Sequence, residues 1–157
     1  MRILCLGDSL TAGVRSTSDD FRPYATTLQK LVDRECGAKT HDVRHEGSCG
    51  ETAISMARRK AVDAEFDGKR TTPKVVLILA GTNDLLRYPP LESSDIASAL
   101  EEMAQAASAR GARPVVLTVP RLLSAEARPR TNHTARRLEL NDLIREGATR
   151  CADLCGK

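Results

Sequence analysis

The chain has 157 residues, 41% hydrophobic and 29% charged, the make-up of one ordinary globular domain able to bury roughly 68–70% of its unfolded surface. A net charge of +3 with 3% aromatic residues supplies neither the basic surface nor the stacking platform of a nucleic-acid binder, so nucleic acid is not an expected partner. No apolar run approaches the ~20 residues of a membrane span, and the first residues lack the basic start and cleavage pattern of a signal peptide, so a cytoplasmic location is expected.

The first predicted element is a strand. Met1-Arg2-Ile3-Leu4-Cys5-Leu6 is a short apolar run that breaks into Gly7-Asp8-Ser9-Leu10-Thr11-Ala12-Gly13. A serine hydroxyl therefore falls at the carboxyl end of a buried strand, where α/β folds carry out chemistry. Amphipathic spacing predicts a helix from Tyr24 to Cys36, and a weak strand is expected around Val43. Glu46-Gly47-Ser48-Cys49-Gly50-Glu51-Thr52 then opens a helix predicted to run from Thr52 to about Phe66. Val75-Val76-Leu77-Ile78-Leu79-Ala80 and Val115-Val116-Leu117-Thr118-Val119 are continuous β-rich runs, the pattern of strands covered on both faces. Between them, Gly81-Thr82-Asn83-Asp84 reads as a turn, and a helix is predicted from Ser94, as N-cap, to Arg110, with Gly111 as its stop. A long loop from Arg121 to Arg130 leads to a last helix, from Asn132 to about Cys155.

This alternation predicts a single α/β domain over residues 1–157: a three-layer, flavodoxin-like fold with a right-handed parallel sheet of order 2-1-3-4-5. The last helix closes on Leu154-Cys155-Gly156-Lys157, much as the first closes on Glu35-Cys36-Gly37-Ala38-Lys39 before a strand. The expectation is a domain that is incomplete at its carboxyl end, with the final strand missing.

Five cysteines, an odd number without the dense spacing of a secreted scaffold, fit reduced thiols. Cys151 and Cys155 would share a helix face, but without neighbouring histidine or further cysteine no metal site is expected. Asn132-His133-Thr134 has the form of a glycosylation sequon and, without a secretory route, reads as helix-start chemistry. Neither a Gly-x-Ser-x-Gly elbow nor a dinucleotide or phosphate loop is present, and Gly37-Ala38-Lys39-Thr40 reads as a helix cap and turn.

The Gly-Asp-Ser-Leu tetrapeptide at 7–10 should arise by chance in a chain this long only on the order of once in a thousand. With it, the glycine block after the second strand and the Gly-x-Asn-Asp block at 81–84 follow strands one, two and three in order. In these features the sequence resembles the GDSL or SGNH hydrolase family of lysophospholipase-like esterases. That resemblance implies Ser9 as nucleophile, with the Gly50 N–H and the Asn83 side-chain amide as oxyanion donors; the following Glu51-Thr52 selects Gly50 over Gly47. Taken alone, the Gly50 segment also reads as a turn glycine before a helix, and Gly81-Thr82-Asn83-Asp84 as a turn. The implied reaction is acyl transfer from a small-molecule ester or thioester, with no cofactor and no metal.

In the family the aspartate and histidine come from an Asp-x-x-His segment beyond a fifth strand, and none follows the last helix here. His41 and His45 flank the second strand and read as surface or strand-end residues. His133, at a helix start, is the remaining histidine to weigh as a base. The expectation is a serine ester hydrolase that is weak or inactive as it stands; the alternative is a non-catalytic relative, a pseudoenzyme or ligand-binding module of the same fold.

Overall fold

A computed structural model describes residues 1–15, 18–67, 71–87, 89, 91–122 and 132–154. Its frame is a four-stranded parallel sheet of β1 (Arg2–Gly7), β4 (Asp42–Gly47), β5 (Val75–Leu79) and β6 (Arg113–Val116), in the spatial order β4-β1-β5-β6. Numbered among the parallel strands alone this is 2-1-3-4, the expected order through its first four places. Among the described residues no fifth strand pairs with β6.

The two central strands are the ones the sequence marked most clearly: β1 is buried on both faces, and β5 is buried at Val76 and Ile78 and partly covered at Val75, Leu77 and Leu79. Every residue from Ile3 to Gly7 is buried, and the core gathers Leu4, Leu6, Val76 and Ile78 against Met56, Val62, Ile96 and Leu100. Each such side chain contributes about 1.5–3 kcal/mol by leaving water. β4 gave a weak signal for a physical reason. It is an edge strand whose Arg44, His45 and Glu46 are exposed, so it carries charge where β1 carries aliphatic bulk.

The short helix α1 (Ser9–Ala12) and α2 (Tyr24–Cys36) follow β1 and its turn. Between them lies a small antiparallel pair, β2 (Val14–Arg15) and β3 (Ser18–Phe21), which the polar Ser18-Asp19-Asp20 gave no reason to expect. α1 rests directly on the end of β4. A Cβ on Gly47 would stand 2.2 Å from the Ala12 nitrogen, so only glycine permits that approach.

The single helix expected from Thr52 to Phe66 is two, α3 (Ala53–Arg58) and α4 (Ala61–Ala64). Lys60 breaks it, at φ +54°, in the left-handed region that cannot continue a right-handed helix. α5 (Thr82–Leu86) is a single turn after β5. α6 (Ser93–Ala109) begins one residue before the expected cap, with Glu92 rather than Ser94 in the N-cap position. Ser93 instead donates its hydroxyl to the Glu139 carboxylate at 2.9 Å. α6 buries Ile96, Leu100, Met103 and Ala107 along one stripe and ends in a Schellman closure: Gly111 at φ +77°, with Ala112 N–H donating to Ala107 C=O at 3.0 Å.

β6 starts at Arg113 and stops at Val116, two residues ahead of the predicted start and three short of the predicted end. The last helix, α7 (His133–Leu154), packs on α6. Much of the loop expected from Arg121 to Arg130, the whole of Cys155 and the side chain of Cys151 lie outside the described residues. No helix among the described residues is long and apolar enough to cross a membrane.

Candidate active site

Strand register sets the site. Gly7 at the end of β1 is level with Gly47 of β4 and with Leu79 of β5, so the segments carrying Ser9, Gly50 and Asn83 leave the same carboxyl edge of the sheet on three adjacent strands. Ser9 is the first residue of α1 and half-buried. Asp8 caps that turn, its Oδ1 accepting from the Leu10 N–H at 2.9 Å.

Asp8 is fully buried. Burial pushes its carboxyl up to about 6; the Leu10 N–H pulls the other way, and the charge of Asp84 adds to the rise. Asp84 is fully buried too, and burial likewise raises its carboxyl above the ordinary range.

The Gly50 segment is held from two sides. Ser48 N–H donates to Gly7 C=O at 2.9 Å and Glu51 N–H to Ser48 C=O at 3.2 Å, closing a turn on the end of β1. Gly50 within it sits at φ +75°, with nothing within 4 Å of where a Cβ would be, so the conformation favours glycine and the space above it is open. Thr52 caps α3 through its hydroxyl, which accepts from Ser55 N–H at 3.1 Å. Glu51 pairs with Arg59, its Oε1 accepting from Nε–H and its Oε2 from Nη2–H at 2.9 Å, and that hydrogen bonding holds its carboxyl below the ordinary range.

From the β5 side, Asn83 donates Nδ2–H to the Glu51 carbonyl at 2.8 Å. Asp84 accepts from Ala53 N–H at 2.7 Å and from Ile54 N–H at 3.3 Å. Gly50 and Asn83 thus line one open cleft of about 400 Å³, with Glu51, Thr52, Ser55, Leu86 and Arg87. Ser9 stands on the adjoining strand end, outside that lining. Another groove, about 430 Å³, lies between α6, β6 and α7, away from these strand ends.

Each histidine has a definite place. His41 precedes β4, at the edge opposite Ser9, with Nδ1 2.7 Å from the Thr40 hydroxyl. His45 is exposed within β4, level with Cys5. Asp42-Val43-Arg44-His45 has the Asp-x-x-His spacing, but it is part of this strand, and Asp42 is held by Arg2 and Arg44 at 3.0 and 2.8 Å. His133 is buried at the start of α7. Of the loop that follows α5, Leu91 packs against the core, while Tyr88 and Pro90 lie outside the described residues.

The role of Asp84 has no signal in the sequence, because nothing local reveals that residue 84 reaches the backbone of residue 53. Arg136, which donates to the carbonyls of Leu85 and Leu91, and Asn141 were missed for the same reason.

The sequence model of the GDSL-like Lipase/Acylhydrolase family matches residues 5–154. The chain belongs to this family. Solved structures with the same GDSL fold include an acetyl xylan esterase, AlAXEase, at 17% identity and TM-score 0.69, over 95% of this chain and 73% of that one. A member of the lipolytic protein G-D-S-L family from Veillonella parvula is 18% identical with TM-score 0.71, over 96% of this chain and 74% of that one. A variant of an acetyl-xylooligosaccharide esterase from Geobacillus Stearmophilus is 17% identical with TM-score 0.72, over 95% and 72%. At such identities the likeness is one of fold. No curated protein sequence matches the chain.

Proposed function

We propose that this GDSL-family chain is a serine ester hydrolase acting on small acyl esters or thioesters. The observation that carries the reading is the meeting of Gly50 and Asn83 in one cleft, at the sheet edge from which Ser9 also leaves. Ser9 Oγ attacks the acyl carbonyl, its proton passing through water to the alcohol or thiol that leaves as the C–O or C–S bond breaks, and a second water releases the acid from the acyl-serine; the charge that develops on the carbonyl oxygen is met by Gly50 N–H, Ser9 N–H and the Asn83 amide. Asn83 has two amide protons; one is donated to Glu51, which fixes the group, and the other is left for the oxyanion. Gly50 lines the cleft at positive φ with open space where a Cβ would stand, so its backbone meets substrate without a side chain in the way.

The names of the structural neighbours add short acyl esters of carbohydrates as a substrate class to try first. Cys5, Cys36 and Cys49 are free thiols, which supports the cytoplasmic placement included in this proposal.

A second reading, ligand binding without catalysis, draws on the histidines: His41 lies at the opposite sheet edge, His45 is exposed in mid-strand and His133 is buried. The two readings separate on aryl acetate hydrolysis by the chain and its Ser9→Ala variant. Turnover above the variant's supports the hydrolase, even if slow, because the roughly 10³–10⁴-fold catalysis over water that oxyanion donors and binding supply by themselves is common to both forms and cancels in the comparison. Equal rates overturn it.

A further inference from the structure

We infer that Asp84 is a positioning residue for the oxyanion donors: its buried carboxylate ties the backbone at the start of α3, and with it the Gly50 turn, to the α5 turn that carries Asn83. The inference rests on the reading of Gly50 and Asn83 as donors and goes beyond it by assigning the residue that sets their spacing.

Asp84 is wholly buried, yet its two oxygens accept from the backbone of a different element, Ala53 N–H at 2.7 Å and Ile54 N–H at 3.3 Å. Those are the first two amides of α3, and the chain between them and Gly50 is only Glu51 and Thr52. Adjacent on the same turn, Asn83 holds the carbonyl of that same Glu51 at 2.8 Å. Two neighbouring side chains therefore pin three backbone positions within a four-residue stretch, 51, 53 and 54, and the Gly50 peptide hangs from the pinned segment.

A helix cap alone does not account for a carboxylate here. Thr52 already caps α3 through Ser55, and a six-residue helix has little need of a second, buried acid whose desolvation is unfavourable. What Asp84 adds is a link between two strand ends. α3 belongs to the crossover after β4 and α5 to the one after β5, and β1 separates those strands in the sheet. Without the link, each oxyanion donor would move with its own element, and displacement of a catalytic group by about 1 Å is enough to lower a rate 10²-fold.

The test uses the full chain, ¹⁵N-labelled, as wild type, Asp84→Asn and Asp84→Glu, with Gln29→Ala, which strips the Val43 N–H of its partner at the opposite end of β4, as a destabilised control. In Asp84→Asn, hydrogen exchange at Ala53 and Ile54 should accelerate by about tenfold or more and the Gly50 amide resonance should shift or broaden, while Leu4 and Val76 amides hold. Gln29→Ala should leave Gly50 unmoved. Asp84→Glu, which keeps the charge but moves the carboxylate by one methylene, should disturb Gly50 in the same way and covers the case in which the amide variant fails to fold. In aryl acetate hydrolysis, kcat of Asp84→Asn should fall by about tenfold with KM within about twofold.

An unmoved Gly50 amide, an unchanged kcat with raised KM, or failure of both Asp84 variants to fold overturns the positioning role. Absence of wild-type turnover tells against the hydrolase reading, and the resonance measurement then decides the clamp by itself.

Discussion

The side-chain amide of Asn141, on α7, holds the backbone of Val119 from both sides: Oδ1 accepts from Val119 N–H at 2.7 Å and Nδ2 donates to Val119 C=O at 3.0 Å. Both residues are buried. β6 has ended at Val116, so the Val119 peptide groups lie past the ladder, and Asn141 supplies the pairing that a strand would otherwise give.

Replacing Asn141 by leucine should therefore be strongly destabilising although it adds apolar bulk. Two buried backbone groups lose their partners, at about 1–3 kcal/mol each. Urea unfolding should show a loss of roughly 2–4 kcal/mol with an unchanged m value; a loss below about 1 kcal/mol would mean that water reaches Val119.

Asp8 makes stability depend on pH in a direction opposite to the usual carboxylate. Its folded pKa, about 6, lies above the ~3.9 of an exposed aspartate. Between those values the native state holds more protons than the unfolded chain. Stability is thus fully present below about pH 4, falls as pH rises toward 6, and stays lower above that. Asp8→Asn should remove most of this fall and gain on the order of 2 kcal/mol at pH 8. The buried Asp84, raised in the same direction, keeps a remainder. Denaturation midpoints from pH 4 to 8 provide the check; equal pH slopes in variant and wild type would show that Asp8 is ionised at no penalty.

Asn83→Ala should lower kcat for an aryl acetate by about 10²–10³-fold if the amide is an oxyanion donor. KM should change little, since the interaction forms with the developing charge. The accompanying loss of the Glu51 hydrogen bond is worth about 1 kcal/mol of stability, so the assay belongs well below the melting temperature. A fall confined to KM would mean that Asn83 binds ester and oxyanion equally.

His133, the one buried histidine, should act on stability rather than on the proton of Ser9. His133→Ala is expected to cost about 2 kcal/mol by emptying a packed position at the start of α7, and to leave turnover per folded molecule unchanged. Turnover abolished in a fully folded His133 variant, with His41 and His45 variants active, would instead make His133 the base.

Some of this protein was settled by sequence alone because the physics is local. β1 is buried on both faces and β5 on one, with the other partly covered, so uninterrupted aliphatic runs mark them. The three glycine-containing blocks follow three strands in order, and parallel pairing then brings their segments to one edge whatever the helices do. α2 runs from Tyr24 to Cys36 as read, because amphipathic spacing and a following glycine depend on neighbours a few residues away. β6 was displaced and α3–α4 run together because a ladder's end and a left-handed Lys60 are set by packing rather than by residue type.

What only the tertiary structure decided are the links between residues far apart in the chain: Asp84 to Ala53, Asn83 to Glu51, Arg136 to Leu85, Asn141 to Val119. A side chain has no sequence signature for a backbone amide more than twenty residues away; such pairs exist only once the sheet has fixed the elements' positions. The sequence therefore determined which residue types stand at the carboxyl edge of this GDSL-family fold. Folding determined which of them are held and by whom, because a buried donor or acceptor must take whatever partner the packed elements bring within reach.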